Sequence, residues 1–164
     1  MAKIRNKLTQ TIEWNDINRR EVFIDYLVKQ NNWKIGIEVG VRFGRTLFHL
    51  LDNNPDLKMY AVDKDISQFY DNETKQKYKN RLVVLEGRSW DQAELIKEQC
   101  DFVFIDAGHS TKSVKKDIAA YKKCLRSKAG LLGHDIDFPA IQRALYEMEI
   151  DFDVGPANIW KAKI

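Results

Sequence analysis

The chain has 164 residues, of which 44% are hydrophobic and 31% charged, and its formal net charge is +3. This composition is typical of a globular protein with one sizeable core. No apolar run approaches the length of a membrane-spanning helix, and the polar N-terminus lacks the apolar region of a secretory signal. The two cysteines show no metal-ligand spacing, so we expect a reduced, cytoplasmic setting with no membrane partner.

Short apolar runs alternate with helical patterns along the chain. Residues 1–16 are interpreted as an N-terminal arm and residues 17–164 as a single domain. Helical spacing predicts helices at about 17–32, 45–53, 67–78, 89–99 and 112–126, and a sixth near Pro139. Strands are predicted at about 35–39, 58–62, 81–85, 101–105 and 130–133, followed by a hairpin over 150–164. Continuous apolar strands between helices indicate an α/β sandwich whose mostly parallel sheet is buried on both faces.

A glycine loop separates the first strand from its helix. The run from Lys34 to Thr46 is an apolar strand, then Gly40-x-x-x-Gly44, then a helical pattern. Strand, glycine turn and helix together are typical of the start of a nucleotide-binding βαβ unit. Glycine lets the backbone approach a ligand, and the helix N-terminus directs free N–H groups at an anion. The alternative is a tight strand-to-helix turn found in any α/β protein.

Polar residues gather where the predicted strands end. They are Glu38, Asp63, Glu86, Asp106, His134 and Asp135. In an open parallel sheet, ligands bind beyond the carboxyl ends of the strands. Solvation alone does not explain why all of the first five strands end in this way, so we expect the functional site at this edge.

Three motifs give the chain a family resemblance. They are Glu38-x-Gly40-x-x-x-Gly44, Asp106-x-x-His109 and the pair His134-Asp135. Over about residues 17–164 the chain resembles the class I S-adenosylmethionine-dependent methyltransferases, most of all the O-methyltransferase group that includes macrolide sugar methyltransferases. The resemblance implies a three-layer Rossmann-like sandwich. Its seven-stranded, mostly parallel sheet would have the order 3-2-1-4-5-7-6, with the last strand antiparallel, and the cofactor would be S-adenosylmethionine.

The resemblance assigns the first cofactor contacts to two strand ends and the glycine loop. Glu38 would order the loop and face the cofactor's ammonium group, while Gly40 and Gly44 would pack against its methionine part. The carboxylate of Asp63 can accept hydrogen bonds from both ribose hydroxyls. The other interpretation of Asp63 is a cap for the following helix.

Gly87, Arg88 and Ser89 lie where the family contacts the adenine. The family often has an acidic residue at the position of Arg88, and arginine cannot accept a hydrogen bond from the adenine amino group. Ser89 is equally well interpreted as the N-cap of its helix, in a capping box with Gln92.

Asp106 and His109 are the predicted catalytic residues, and Asp106 would also contact the cofactor. A histidine titrates near neutral pH, so His109 is a candidate base for a hydroxyl acceptor. In metal-dependent relatives, carboxylates after the fourth and fifth strands hold a divalent cation, which implies Asp106 and Asp135 here, with His134 nearby. A hard cation such as Mg prefers such oxygen ligands. The alternative for His134-Asp135 is a local hydrogen bond with loop capping.

We therefore predict a methyltransferase that acts on a hydroxyl of a small molecule or sugar. A NAD-dependent oxidoreductase is disfavoured because the middle glycine of the dinucleotide fingerprint is missing. A non-catalytic Rossmann-like binding module and an RNA 2′-O-methyltransferase stay open. The helix predicted over 112–126 is rich in lysine, and lysines opposite an apolar stripe are typical of a solvated face. This argues against a nucleic-acid partner. The acceptor pocket would be completed by residues 1–16, by loops, or by a second subunit in a homodimer.

Overall fold

Seven strands form one sheet in the computed structural model, which describes residues 18–163. The strands are β1 (Ile35–Val39), β2 (Lys58–Asp63), β3 (Leu82–Glu86), β4 (Cys100–Ile105), β5 (Leu125–Gly133), β6 (Phe152–Val154) and β7 (Trp160–Ala162). The α-helices are α1 (Arg20–Asn31), α2 (Arg45–Asn53), α3 (Asn72–Tyr78), α4 (Ser89–Gln92), α5 (Thr111–Tyr121) and α6 (Pro139–Glu147). The predicted arm, residues 1–16, lies outside the described residues, so the division into arm and domain stays a prediction.

The strand order is β3-β2-β1-β4-β5-β7-β6. Strands β1 to β5 pair in parallel, and β7 runs antiparallel to both of its neighbours. The predicted order and the antiparallel last strand are therefore confirmed. The register pairs Val39 with Ile105 and Ile105 with Gly133, so the ends of β1, β4 and β5 lie level at one edge of the sheet.

Apolar layers cover both faces of the sheet, as the continuous apolar strands predict. Phe102 and Phe104 of β4 belong to a buried cluster with the inner faces of α1 and α2. Val103 and Ile105 point to the other face and belong to a cluster with α5 and α6. This alternation confirms the three-layer sandwich. Between residues 18 and 163, no helix has the length and apolar character needed to cross a membrane.

The helix predicted over 67–78 is two separate elements. A 3-10 turn spans Ile66–Gln68, and α3 begins only at Asn72. The carboxylate of Asp71 accepts a hydrogen bond from the Thr74 N–H at 2.8 Å, which caps a new helix start. The periodic pattern in the sequence therefore spans two elements and does not indicate the boundary between them.

Two other helices are shorter than predicted, and one strand is longer. The helix predicted over 89–99 is α4 followed by a 3-10 turn at Ala93–Leu95, and it ends where Ile96 becomes extended and buried. The helix predicted over 112–126 ends its α-helical part at Tyr121. Strand β5 begins at Leu125, before the predicted start at residue 130. Its first part is exposed and polar, so the sequence there does not show the apolar pattern of a buried strand.

Candidate active site

The glycine loop between β1 and α2 lies directly against the end of β4. Gly40 has a φ of +88°, and a Cβ there would lie 2.4 Å from the carbonyl oxygen of Asp106. Its N–H donates to the Val62 carbonyl oxygen at 2.8 Å. Gly44 has a φ of +75° immediately before α2. Only glycine tolerates both the left-handed backbone and the close approach at position 40, so the loop and the end of β4 form one surface.

The carboxylate of Asp63 holds the glycine loop. Its Oδ2 accepts hydrogen bonds from the backbone N–H groups of Val41 at 2.7 Å and Arg42 at 2.8 Å. Its Oδ1 accepts from the N–H of Asp65 at 3.1 Å. The following 3-10 turn is capped by Asp65 itself, so the helix-cap interpretation of Asp63 is wrong. The predicted ribose contact of Asp63 stays a prediction.

Glu38 is a buried carboxyl group in the middle of the sheet edge. Its side chain is 2% exposed, and its Oε2 has no hydrogen-bond partner among the described residues. Burial raises the pKa of Glu38 well above its ordinary value, and the charges of Asp106 and Asp63 raise it further, against a lowering by Arg20. A carboxyl group in this state favours a cationic partner.

The turn after β3 contains the three residues predicted to meet the adenine. The N–H of Gly87 donates to the carbonyl oxygen of Asp63 at 2.9 Å, which ties this turn to the end of β2. Arg88 is exposed and is the N-cap residue of α4, so the N-cap interpretation of Ser89 is wrong. The Ser89 hydroxyl donates instead to Oδ1 of Asp117 at 2.5 Å. The adenine contacts of Gly87, Arg88 and Ser89 stay predictions.

The three predicted metal ligands lie together. Asp106, His134 and Asp135 each present one ligand atom, and these atoms lie within 4.8 Å of one another. Nδ1 of His134 is 2.9 Å from Oδ1 of Asp135 and 3.5 Å from Oδ1 of Asp106. The pairing of β4 with β5 brings the strand ends together. Two carboxylates and one imidazole suit a divalent cation, while the short contact of His134 with Asp135 also fits the alternative of a local hydrogen bond.

Charge balance around His134 depends on both aspartates. Burial lowers the pKa of His134, but the hydrogen bond and charge of Asp106 and the charge of Asp135 outweigh burial and raise it overall. Arg20 opposes this effect because its positive charge lowers the pKa of His134. The cluster therefore attracts positive charge, whether that charge is a proton, a guanidinium group or a metal ion.

His109, the predicted base, lies at the solvent side of the cluster. Its Nε2 is 2.7 Å from Oδ2 of Asp135, and its side chain is 47% exposed. The imidazole stacks on the ring of Phe138 with a centroid distance of 5.3 Å. These two contacts orient the imidazole while leaving one face of the site accessible.

Two residues of α1 complete the site and were not predicted from the sequence. Nη1 of Arg20 lies 2.5 Å from Oδ2 of Asp106. Glu21 is 1% exposed, and its Oε1 accepts from Nε of Arg19 at 2.7 Å and Nε of Arg45 at 2.8 Å. Burial raises the pKa of Glu21, but hydrogen bonds from its backbone and the two arginines outweigh burial and lower it overall. The start of α1 is thus anchored to the start of α2 and to the end of β4.

The sheet order is that of the class I S-adenosylmethionine-dependent methyltransferases. A family model described as a methyltransferase domain matches residues 37–136, which contain the glycine loop, Asp63, Asp106 and His134-Asp135. The chain belongs to this methyltransferase family. The predicted enzyme class is therefore confirmed. No curated protein matches the chain in a sequence search.

Solved O-methyltransferase structures share the fold at low sequence identity. A Staphylococcus aureus protein proposed to be a caffeoyl-CoA O-methyltransferase is 16% identical, with a TM-score of 0.71 over 87% of this chain and 81% of that one. The Streptomyces achromogenes O-methyltransferase TomG of tomaymycin synthesis, solved with S-adenosylmethionine, is 13% identical, with a TM-score of 0.68 over 88% and 78%. CalS11, a TDP-rhamnose 3′-O-methyltransferase of calicheamicin biosynthesis, is 17% identical, with a TM-score of 0.65 over 88% and 80%. At these identities, the likeness bears on the fold alone.

Proposed function

We propose that the protein transfers a methyl group from S-adenosylmethionine to a hydroxyl group of a small molecule or sugar, with a divalent cation such as Mg beside the reacting oxygen. The observation that carries this proposal is that Asp106 contacts both the glycine loop and the polar cluster. The glycine loop packs against its backbone at Gly40, and its carboxylate belongs to the cluster with His134 and Asp135. A methyl donor held by the loop and an acceptor held at the cluster would therefore meet beside Asp106.

The cofactor would lie along the ends of β1, β2 and β3. The unpartnered oxygen of Glu38 would accept a hydrogen bond from the ammonium group of its methionine part. Asp63 would accept hydrogen bonds from the ribose hydroxyls while it keeps the loop in place through Val41 and Arg42. The turn at 87–89 would contact the adenine. This assignment is supported by the S-adenosylmethionine complex of TomG, which has the same fold.

The chemical step is an in-line displacement at the cofactor's methyl carbon. A new bond forms between the acceptor oxygen and this carbon, the carbon–sulfur bond breaks, and its electron pair returns to sulfur to give S-adenosylhomocysteine. The hydroxyl proton passes to His109, which Asp135 orients through the contact at 2.7 Å. The cation, when bound by Asp106, His134 and Asp135, would stabilise the developing negative charge on the acceptor oxygen.

The non-reacting part of the acceptor would contact exposed aromatic rings at the same edge. Phe43, in the glycine loop, is 63% exposed, and Phe138, which stacks on His109, is 46% exposed. Large apolar side chains exposed beside polar catalytic groups are typical of small-molecule sites. A second subunit that completes the pocket stays a prediction.

The cofactor assignment is tested by calorimetric titration of the purified protein with S-adenosylhomocysteine and, in parallel, with NAD. We expect the former to bind and NAD not to bind, because the site provides carboxylates for an ammonium and a ribose but only two loop glycines. Repeating both titrations with Mg tests the cation. Binding of NAD alone would overturn the assignment, and binding of neither would favour a non-catalytic module.

Cofactor binding is expected to release a proton from Glu38. The pKa of Glu38 in the ligand-free protein is raised, so its carboxyl group keeps a proton at pH values where a free glutamate is ionised. The cofactor's ammonium favours the carboxylate and lowers this pKa. Affinity for S-adenosylhomocysteine should therefore rise with pH until Glu38 is ionised without ligand.

Calorimetry in buffers of different ionisation enthalpy counts the protons released at one pH. Glu38→Gln keeps the side-chain size and removes the titrating group. We expect this variant to bind more weakly and to lose the proton release. An equal release from Glu38→Gln and the native protein would show that another group titrates.

A further inference from the structure

A buried acid on α5 has no role in the mechanism described above. Asp117 is fully buried, at 0% exposure. Its Oδ1 accepts a hydrogen bond from the Ser89 hydroxyl at 2.5 Å, and its Oδ2 has no partner among the described residues. Burying a carboxylate with one of its oxygens unsatisfied costs free energy that a well-packed apolar residue would avoid.

A second buried polar group of α5 contacts Ser89 in the turn after β3. Tyr121 follows Asp117 by one helical turn and is also 0% exposed. Its hydroxyl donates to the carbonyl oxygen of Ser89 at 2.6 Å. Residues four apart lie on one face of a helix, so α5 binds both the side chain and the backbone of Ser89.

The bound turn is also connected to the end of β2. Gly87 lies two residues before Ser89, and its N–H donates to the carbonyl oxygen of Asp63. The side chain of Asp63 in turn holds the glycine loop. Hydrogen bonds and the short backbone segments between them therefore connect the inner face of α5, through the turn after β3, to the loop that packs on Asp106.

We propose that Asp117 is a positioning residue that, with Tyr121, holds the turn at 87–89 in the conformation that binds the adenine of the cofactor. This inference rests on the proposed function, because it requires an adenosyl cofactor. Asp117 itself does not touch the cofactor; it acts through Ser89. Burial raises the pKa of Asp117 to about 6, although the hydrogen bond from Ser89 lowers it.

A purely structural role and a positioning role predict different results. If Asp117 only stabilised the fold, its replacement would change the unfolding temperature and leave ligand selectivity unchanged. If it positions the turn, its replacement would weaken recognition of the adenine edge in particular. The informative ligands are S-adenosylhomocysteine and S-inosylhomocysteine, which differ at position 6 of the purine.

The experiment measures the affinity of both ligands by calorimetry for the native protein, Asp117→Ala, Asp117→Asn and Tyr121→Phe. We expect Asp117→Ala to bind S-adenosylhomocysteine about 10-fold more weakly, in line with the loss of the one hydrogen bond that orders the Ser89 side chain. The ratio of its affinity for S-adenosylhomocysteine to its affinity for S-inosylhomocysteine should be smaller than in the native protein. Asp117→Asn keeps an acceptor for the Ser89 hydroxyl and should recover most of both losses.

Asp101→Ala is the matched control. Asp101 is a buried aspartate at the opposite edge of the sheet, where its Oδ2 accepts from the N–H groups of Lys34 at 2.7 Å and Ile35 at 2.8 Å. Its loss should lower the unfolding temperature without changing the selectivity between the two ligands.

The outcomes separate the inference from the proposed function. If the native protein binds neither ligand, the proposed function is wrong and the inference falls with it. If the native protein binds S-adenosylhomocysteine, and Asp117→Ala keeps the native affinity and selectivity, the inference alone is wrong. Equal selectivity losses in Asp101→Ala and Asp117→Ala would also overturn it, because a general loss of stability would then explain both.

Discussion

Replacement of Asp63 by alanine is expected to weaken the binding of S-adenosylhomocysteine by at least about 100-fold. One carboxylate oxygen accepts two backbone N–H groups of the glycine loop, at 2.7 and 2.8 Å. Hydrogen bonds to a charged group contribute about 1.5–3 kcal/mol each. Loss of about 3 kcal/mol of binding free energy corresponds to about 100-fold in affinity. The variant loses the order of the loop and, on the proposed function, the ribose contact as well.

Asp65→Ala is the control for this experiment. Asp65 lies two residues further on, and its carboxylate caps only the following 3-10 turn. The same change of charge there should leave the affinity for S-adenosylhomocysteine almost unchanged. Calorimetry measures both variants, and circular dichroism verifies that each is folded. Native affinity in folded Asp63→Ala would remove Asp63 from the cofactor site.

Replacement of Asp106 by asparagine is expected to reduce methyl transfer by about 1000-fold or more, within the range known for the loss of charged and acid–base groups in active sites. The side chain is 11% exposed and contacts both Arg20 and His134. Loss of its charge would remove one anionic ligand from the cluster and leave the positive charge of Arg20 unbalanced. Affinity for a divalent cation should fall together with turnover.

Mn²⁺ titration followed by electron paramagnetic resonance measures the cation site without an acceptor. Turnover is measured with labelled S-adenosylmethionine and a panel of hydroxyl compounds. Asp137→Asn, an exposed acid just after the cluster, makes the same change of charge and should bind Mn²⁺ as the native protein does. Native Mn²⁺ affinity in Asp106→Asn would exclude Asp106 as a ligand. Full turnover in that variant would remove Asp106 from the active site.

The alternation of strands and helices, and the burial of the sheet on both faces, could be predicted from the sequence pattern, whereas the strand order was implied by the family resemblance. Apolar strands alternate with amphipathic helices, and such periodic patterns depend only on neighbouring positions along the chain. The family resemblance also implied that Asp106, His134 and Asp135 lie together, and the parallel pairing of β4 with β5 brings them to one edge of the sheet. The glycine at position 40 was expected to allow the close approach of a ligand, and the structure shows that it also allows the loop to pack against the end of β4.

The pairing of polar groups around these residues depends on the tertiary structure. Arg20 reaches Asp106 from 86 positions away, and Ser89 reaches Asp117 from 28 positions away. A local pattern cannot select such partners, because the choice depends on how helices pack on the finished sheet. One signal was present in the sequence: Asp117 lies on the apolar stripe of α5 with Val114, and a charged residue on such a stripe needs a buried partner. The identity of that partner required the fold.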